Sequence, residues 1–340
     1  MNKSVTSMSN FTGVATEAGD VCYLCTLPER LVSTDNTLLI FQPWNIVFLL
    51  LMVLFIVVAR FLFQLKYDVV FKNKTIEKQG KYKSYLYSFN EALAEDDNKA
   101  LAVSLAGYLL GAGLYTWSSF NGLRLLDGWA NVYIVIIWQI VGAVQLEIAR
   151  LLNDKVAFGS VNNAREIVRR RNLAVGLCEG GSYVAAGQVV MAATTGESHS
   201  WSVDIASSFM WFFIGQIIFL IVDKILARVD DLDIQDEVKK GNVAMGLYFA
   251  MSHINIGLII SNVVFKSDSI LAFFVWVIVG TVGMLLLRVF IYHFVLPGSS
   301  LHKEIVEDHN WGTALVYGII PIGVSIYLNT FLPNTCENST

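Results

Sequence analysis

Charge is scarce in this chain. Asp, Glu, Lys and Arg make up 15% of its 340 residues, against about 25% in a typical soluble domain. The formal net charge is −4, and the basic face or stripe that marks a nucleic-acid binder is missing. Also missing are the G-x-S-x-G, H-E-x-x-H and P-loop signatures, which leaves no sequence argument for an enzyme, a cofactor or a metal site. The four cysteines include one C-x-x-C pair, Cys22 with Cys25, but no second pair or nearby histidine completes a metal or redox centre. Residues 1–42 contain no apolar core of the length a cleavable signal peptide needs.

Apolar residues are abundant, at 55% of the chain. Crossing a bilayer takes about 20 mostly apolar residues, and eight stretches meet or approach that: 44–66, 98–118, 130–151, 172–194, 205–227, 242–264, 269–293 and 311–332. These predict an all-α polytopic membrane protein with eight transmembrane helices. It divides into an extracytosolic tail (1–43), a first membrane half (44–194), a second (195–332) and a short extracytosolic tail (333–340). Lys66, Lys72, Lys74, Lys78, Lys81 and Lys83 crowd one connection, and Lys155, Arg165, Arg169, Arg170 and Arg171 another, whereas the opposite loops, such as TTGESHSWS, carry almost no positive charge. By the positive-inside rule the basic connections face the cytosol and both termini face outward.

That orientation sorts the cysteines. Cys22, Cys25 and Cys336 fall on the outer side, where disulfides persist. A bond from Cys22 or Cys25 to Cys336 would tie the tails together and leave one thiol over. Cys178 lies inside a span. NFT at Asn10 is a glycosylation acceptor on the same outer side; NST at Asn338 sits too close to the C-terminus to be favoured. These features point to a plasma or secretory-pathway membrane of a eukaryote.

The chain repeats itself. NKALAVSLAGYLLGAG from 98 returns as NLAVGLCEGGSYVAAG from 172, NVAMGLYFAMSHINIG from 242 and NWGTALVYGIIPIG from 310, so the asparagines are separated by 74, 70 and 68 residues. Each unit holds two spans, and an even number of crossings inserts every unit the same way, as four parallel two-helix repeats. Small residues stand two, four and eight places after each asparagine, for example Ala174, Gly176 and Gly180. Such stripes let membrane helices approach closely, so the second span of each unit is the inner one. The bulkier first spans, with Trp44, Trp138, Trp211 and Trp276, form the shell. Charged segments at 162–171, 233–241 and 300–309 precede three of the asparagines and suit short interfacial helices, Asn163 and Glu166 having capping-box spacing.

A charged helix followed by N-x-A-x-G opening a Gly/Ala-rich span resembles the YjfL-like family of bacterial inner-membrane proteins, a domain of unknown function. The resemblance covers roughly 44–332, is best at NVAMGLYFAM and NLAVGLCEGG, and loosens at NWGTALVYG. Its members have about four spans from two such units, so this chain looks like two copies in tandem. The resemblance implies architecture and, by association, solute or ion movement.

Asn98, Asn172, Asn242 and Asn310 read as N-caps; brought together by pseudo-symmetry, they would also ring a cytosolic mouth. Glu179, seven residues after its asparagine, replaces the Leu105, Phe249 and Tyr317 of the other units. An ionisable group at that depth is costly unless paired, hydrated or protonated. His253 and Asn255 lie mid-span in the sixth stretch, and Gln139 and Gln216 can supply interhelical amide bonds. Glu147 with Arg150, Asp223 with Lys224, and Arg60 and Arg288 read as snorkelling groups or local pairs, Asp204 as an interfacial residue, and Pro321 as a kink. Two functions follow. One is a transport protein, an ion channel or proton/cation-coupled transporter with Glu179, His253 and Asn255 on one polar path. The other is a non-transporting scaffold whose basic cytosolic segments bind lipid or partner proteins. Either is compatible with a homo-oligomer, and the expected partners are the lipid bilayer and a small ion or solute.

Overall fold

Hydrocarbon offers the backbone no hydrogen-bond partner, so each apolar run closes its bonds on itself as a helix. A computed structural model of the chain describes residues 43–77, 84–121, 129–156, 159, 161–195, 200–230, 232–266, 269–298 and 300–331. In order come α1 (Pro43–Phe71), β1 (Thr75–Glu77), β2 (Ser84–Leu86), α2 (Lys99–Asn121), α3 (Trp129–Val156), α4 (Asn163–Val168), α5 (Leu173–Ala193), α6 (Trp201–Val229), α7 (Ile234–Lys240), α8 (Val243–Lys266), α9 (Ile270–Phe290) and α10 (Trp311–Phe331). Helix dominates. The exception is one short antiparallel ribbon of two three-residue strands, with Ile76 opposite Tyr85. Seven helices are long and apolar enough to cross a membrane, and α10 carries a shorter apolar stretch, Trp311–Tyr327, among the described residues.

The division into inner and outer spans holds. In the most apolar window of α5, 83% of residues are buried, against 17% in α1. α2 packs on α5, α5 on α8 and α8 on α10, which makes a row; α3 lies over the α2/α5 junction, α6 over α5/α8 and α9 over α8/α10. Trp211 and Trp276 turn toward the core, and the face α1 leaves open is aliphatic and aromatic, with Leu49, Leu50 and Phe61. The Trp44 side chain lies outside the described residues.

One turn recurs four times. The residue before each asparagine, Asp97, Arg171, Gly241 and His309, has φ of 48°, 51°, 88° and 51°, the left-handed conformation that closes a helix. The asparagine N–H then reaches back to Ala92, Glu166, Glu237 and Glu304 carbonyls at 2.7–3.2 Å. Each asparagine also caps the helix it opens: Asn98, Asn172, Asn242 and Asn310 Oδ1 accept from the N–H groups of Leu101, Val175, Met245 and Thr313 at 3.1–3.3 Å. The segment before the turn differs from unit to unit. It is α4 or α7 in the middle units and a π-helical turn, Glu91–Glu95 or Lys303–Glu307, in the outer two. The expected capping box is off by one residue: Asn162 caps α4 by accepting from Arg165 N–H, and Asn163 instead donates to Asp154 at 2.9 Å. In α7, donation from the Lys240 ammonium holds the Glu237 carboxyl below the usual range.

The amide nitrogens do something the sequence did not suggest. Asn98 Nδ2 donates to the Ile167 carbonyl at 2.9 Å, Asn172 to Val238 at 2.8 Å and Asn242 to Ile305 at 2.8 Å, each in the next unit. Asn310, in the last of the described units, donates to its own Glu304. The four asparagines therefore form a file in which each hooks the unit after it, and their amide oxygens are occupied by helix N–H groups. The ring around a mouth is corrected accordingly. Asn172→Ala should cost about 1 kcal/mol for the cap and about 1–3 kcal/mol more for the buried carbonyl left unpaired. Asn310→Ala should cost the cap and its bond to the Glu304 carboxylate, with no buried carbonyl left unpaired. Equal losses in equilibrium unfolding would contradict the hook.

Glycine sets the spacing of the row. A Cβ at Gly107 would stand 2.3 Å from the Gly180 carbonyl oxygen, one at Gly187 2.4 Å from Gly111 Cα, and one at Gly246 2.7 Å from Ala174 Cα. Backbone touches backbone there, as dispersion-driven packing in lipid requires.

Candidate functional site

Glu179 is 3% exposed on α5, and everything around it is built by helical spacing. On α1, Ala59, Phe63, Tyr67 and Phe71 fall four apart and form its buried stripe. That stripe carries Tyr67, and with it the adjacent Lys66, to Glu179. Glu179 Oε1 takes the Lys66 ammonium at 2.9 Å, Tyr67 hydroxyl at 2.8 Å and Ser104 hydroxyl of α2 at 2.6 Å. Tyr183, one turn along α5, receives a hydrogen bond from Lys66 at 3.0 Å and stands 3.4 Å from the same oxygen. Oε2 is buried with no partner. One carboxylate oxygen is thus crowded with donors and the other has none.

The pair is not sealed. Lys66 also lines an open cleft of about 460 Å³ with Val70, Arg150, Asp154, Asn162 and Asn163. Its charged walls are two cations, Lys66 and Arg150, and one carboxylate, Asp154. Arg150 Nε donates to Glu147 at 2.7 Å and its Nη1 lies 3.8 Å from Asp154, so the expected Glu147–Arg150 pair is present, and Tyr108 donates to Glu147 at 2.9 Å. Tyr67, Tyr108, Tyr183 and Phe63 close the inner side, with ring centroids 5.1–6.1 Å apart. Asp154 lines the same cleft as Lys66.

A second polar centre lies on the other side of α5. His253 is fully buried; its Nε2 is 2.9 Å from Asp223 Oδ1 and its Nδ1 2.8 Å from Ser182 Oγ, between the Phe219 and Phe249 rings. This corrects the reading of Asp223 as a snorkelling partner of Lys224: it turns inward, because His253 offers it a buried partner. Arg288 likewise is no free snorkelling group but pairs with Asp230, which also accepts from Tyr248 at 2.6 Å. Arg60 donates to Gln64 and Asn90.

The sequence grouping of Glu179, His253 and Asn255 on one path is therefore corrected. Glu179 sits at the α1/α2/α5 meeting, His253 at α5/α6/α8, and Asn255 at α8/α10, where Ser325 Oγ donates to its Oδ1 at 2.5 Å. A row of helices cannot bring three successive junctions to one axis. Equivalent positions differ in one case and agree in another: Tyr183 and His253 both stand eleven after their asparagines, and Arg150 and Arg288 both twenty-two before. Gln216 donates to Asn153 at 2.8 Å and Gln139 accepts from Thr116 at 3.1 Å, as interhelical amides. Asp204 accepts from Ser200 N–H at the start of α6, and Pro321 faces an apolar groove between α8, α9 and α10. Cys178 is buried and free; Cys22, Cys25, Cys336 and Asn10 lie outside the described residues. Among the described residues, no three His, Cys, Asp or Glu converge as a metal site would need.

The residue missed in the sequence was Lys66. Hydropathy ends at Lys66 and groups it with the basic connection, yet the four-residue spacing of Phe63, Tyr67 and Phe71 runs past it.

A family model described as Domain of Unknown Function (DUF350) matches residues 84–194 and 200–332. A UPF0719 transmembrane protein of Aquifex aeolicus (strain VF5) is 21% identical over 246 residues, covering 69% of this chain and 88% of the relative. No solved structure matches.

Proposed function

The chain belongs to the Domain of Unknown Function (DUF350) family, and we propose that it is a membrane transport protein that passes a proton or small cation by way of the Lys66–Glu179 pair. One observation carries this reading: the lopsided carboxylate, four donors on Oε1 and none on Oε2, beside an open polar cleft. A purely structural buried pair is stable only when its remaining lone pairs are satisfied. Here a lone pair is left over, deep in an apolar helix, where ionisable residues are a functional signal by default. A proton taken up on Oε2 neutralises Glu179 and loosens Lys66, whose ammonium then turns into the cleft toward Asp154. Loss of the proton draws it back.

The arrangement in the bilayer is part of the proposal. The four units insert in parallel, α10 completing eight spans, with the asparagine turns and basic connections in the cytosol and both termini outside. The two matched segments are read as two tandem copies, and the membrane as the plasma or secretory-pathway membrane of a eukaryote. The test is proton and cation flux into liposomes carrying the purified protein. Glu179→Gln, which keeps size and removes the charge, should abolish flux while the protein remains folded. Flux that survives Glu179→Gln unchanged, with the same pH dependence, would sink the mechanism.

A second reading has its own observation. The glycine contacts between α2, α5 and α8 leave no gap for side chains, as suits a scaffold that organises lipid or partner proteins through its basic segments. Wild-type protein that binds anionic vesicles and passes no ion would favour it.

A further inference from the structure

The inner helices meet in one register, used at every junction. The residue eight after an asparagine lies against the residue nine after the preceding one: Gly180 on Gly107, Ala250 on Gly181, Gly318 on Met251. The residue fifteen after lies against the residue thirteen after: Gly187 on Gly111, Gly257 on Ala185, and Ser325 hydrogen-bonded to Asn255. At the cytosolic end of this pattern the residue four after meets the residue two after, as Gly176 meets Ala100 and Gly246 meets Ala174.

Among the described residues the row has two ends, and both are open in this register. On α2 the positions four, eight and fifteen after Asn98 are Ala102, Ala106 and Gly113. The two alanines are exposed, and nothing lies within 4 Å of a Cβ at Gly113. On α10 the positions two, nine and thirteen after Asn310 are Gly312, Ile319 and Gly323. Ile319 is 50% exposed, and nothing lies near Gly323. The hook is open too. Asn242 uses both amide hydrogens, one on its own Glu237 and one on the next unit's Ile305 carbonyl. Asn310 uses one, on its own Glu304, and alone among the four it is exposed. Leu93, five before Asn98 as Ile167 and Ile305 are before theirs, has no preceding repeat unit among the described residues.

We infer that α10 of one copy docks on α2 of a second copy, continuing the row head to tail, with Ile319 against Ala106, Gly323 against Gly113, and Asn310 hooking the Leu93 carbonyl. The occupant is a second copy because each open face is half of an interface that this chain already builds three times within itself. Sharing one membrane orientation, the copies make a heterologous, head-to-tail contact, which forms a ring where its rotation closes and an open array where it does not.

Paired cysteines test this in the full-length protein, reconstituted in lipid with its four native cysteines replaced by alanine. Ala106→Cys with Ile319→Cys in one chain should give an oxidation-dependent ladder of dimers and larger multimers, and each single variant should give none. Ala106→Trp should remove the ladder while unfolding like the parent. Two results overturn the inference: no ladder from the double variant, as when the N-terminal segment or lipid covers α2, or dimers from either single cysteine, which indicate a two-fold contact instead.

Discussion

Lys66→Ala should be the most destabilising change of a single charge in this protein. It leaves the Glu179 carboxylate buried at 3% exposure with only hydroxyl donors, and breaking a buried pair from one side costs about 3–5 kcal/mol. The loss should appear as a lowered midpoint in denaturant or heat. Acidification, which protonates the stranded carboxylate, should restore part of it. Removing both charges is a different matter: Lys66→Met with Glu179→Gln deletes the desolvation penalty together with the attraction, and such replacements are often neutral. The double variant should therefore be more stable than Lys66→Ala and transport nothing. If Lys66→Ala loses less than about 1 kcal/mol, the pair is hydrated like a surface bridge, and the buried geometry is wrong.

Gly107→Leu should be comparably damaging for a different reason. Its Cβ would meet the Gly180 carbonyl at 2.3 Å, a backbone atom that cannot swing aside. α2 and α5 would have to separate along their length, losing the Gly111–Gly187 contact and pulling Ser104 from Glu179. Overpacking in a rigid core costs about 1–3 kcal/mol or more, and here the packing of a whole helix pair is at stake. Gly283→Ala is the control, since nothing lies within 4 Å of its Cβ. Relief of backbone entropy should make that change neutral or stabilising by about 0.5–1 kcal/mol. Equal folded yields of the two variants would show that close backbone approach does not hold the row.

Much of this architecture was legible because membrane physics writes it in periodicities. The asparagine spacing, the small residues after each asparagine and the basic connections together located the inner helices and their turns. The caps followed from the known preference of asparagine at helix starts. What stayed hidden was direction. Sequence spacing shows that Asn172 can cap its own helix, but not that its amide nitrogen points at Val238 in the next unit. The left-handed residue before each asparagine was invisible because Asp97, Arg171 and His309 are not glycine, and only Gly241 advertises that conformation. Glu179 stood out against Leu, Phe and Tyr in the other units. Its partner did not, because lysine at a span end is ordinary, and Asp223 was misread for the same reason. A ring of repeats and a row of repeats share one sequence period, so the joint path through Glu179, His253 and Asn255 could not be judged until the row was known.

Infrared difference spectroscopy of the protein in lipid, titrated over the pH range in which it stays folded, asks directly whether Glu179 exchanges a proton. The expected result is a carboxylic-acid band that grows on acidification in the wild type, is missing from Glu179→Gln, and shifts to higher pH when Lys66 is replaced by methionine. A wild-type spectrum with no band that Glu179→Gln removes would mean a permanently ionised, locked pair, and would contradict a transport role for this site.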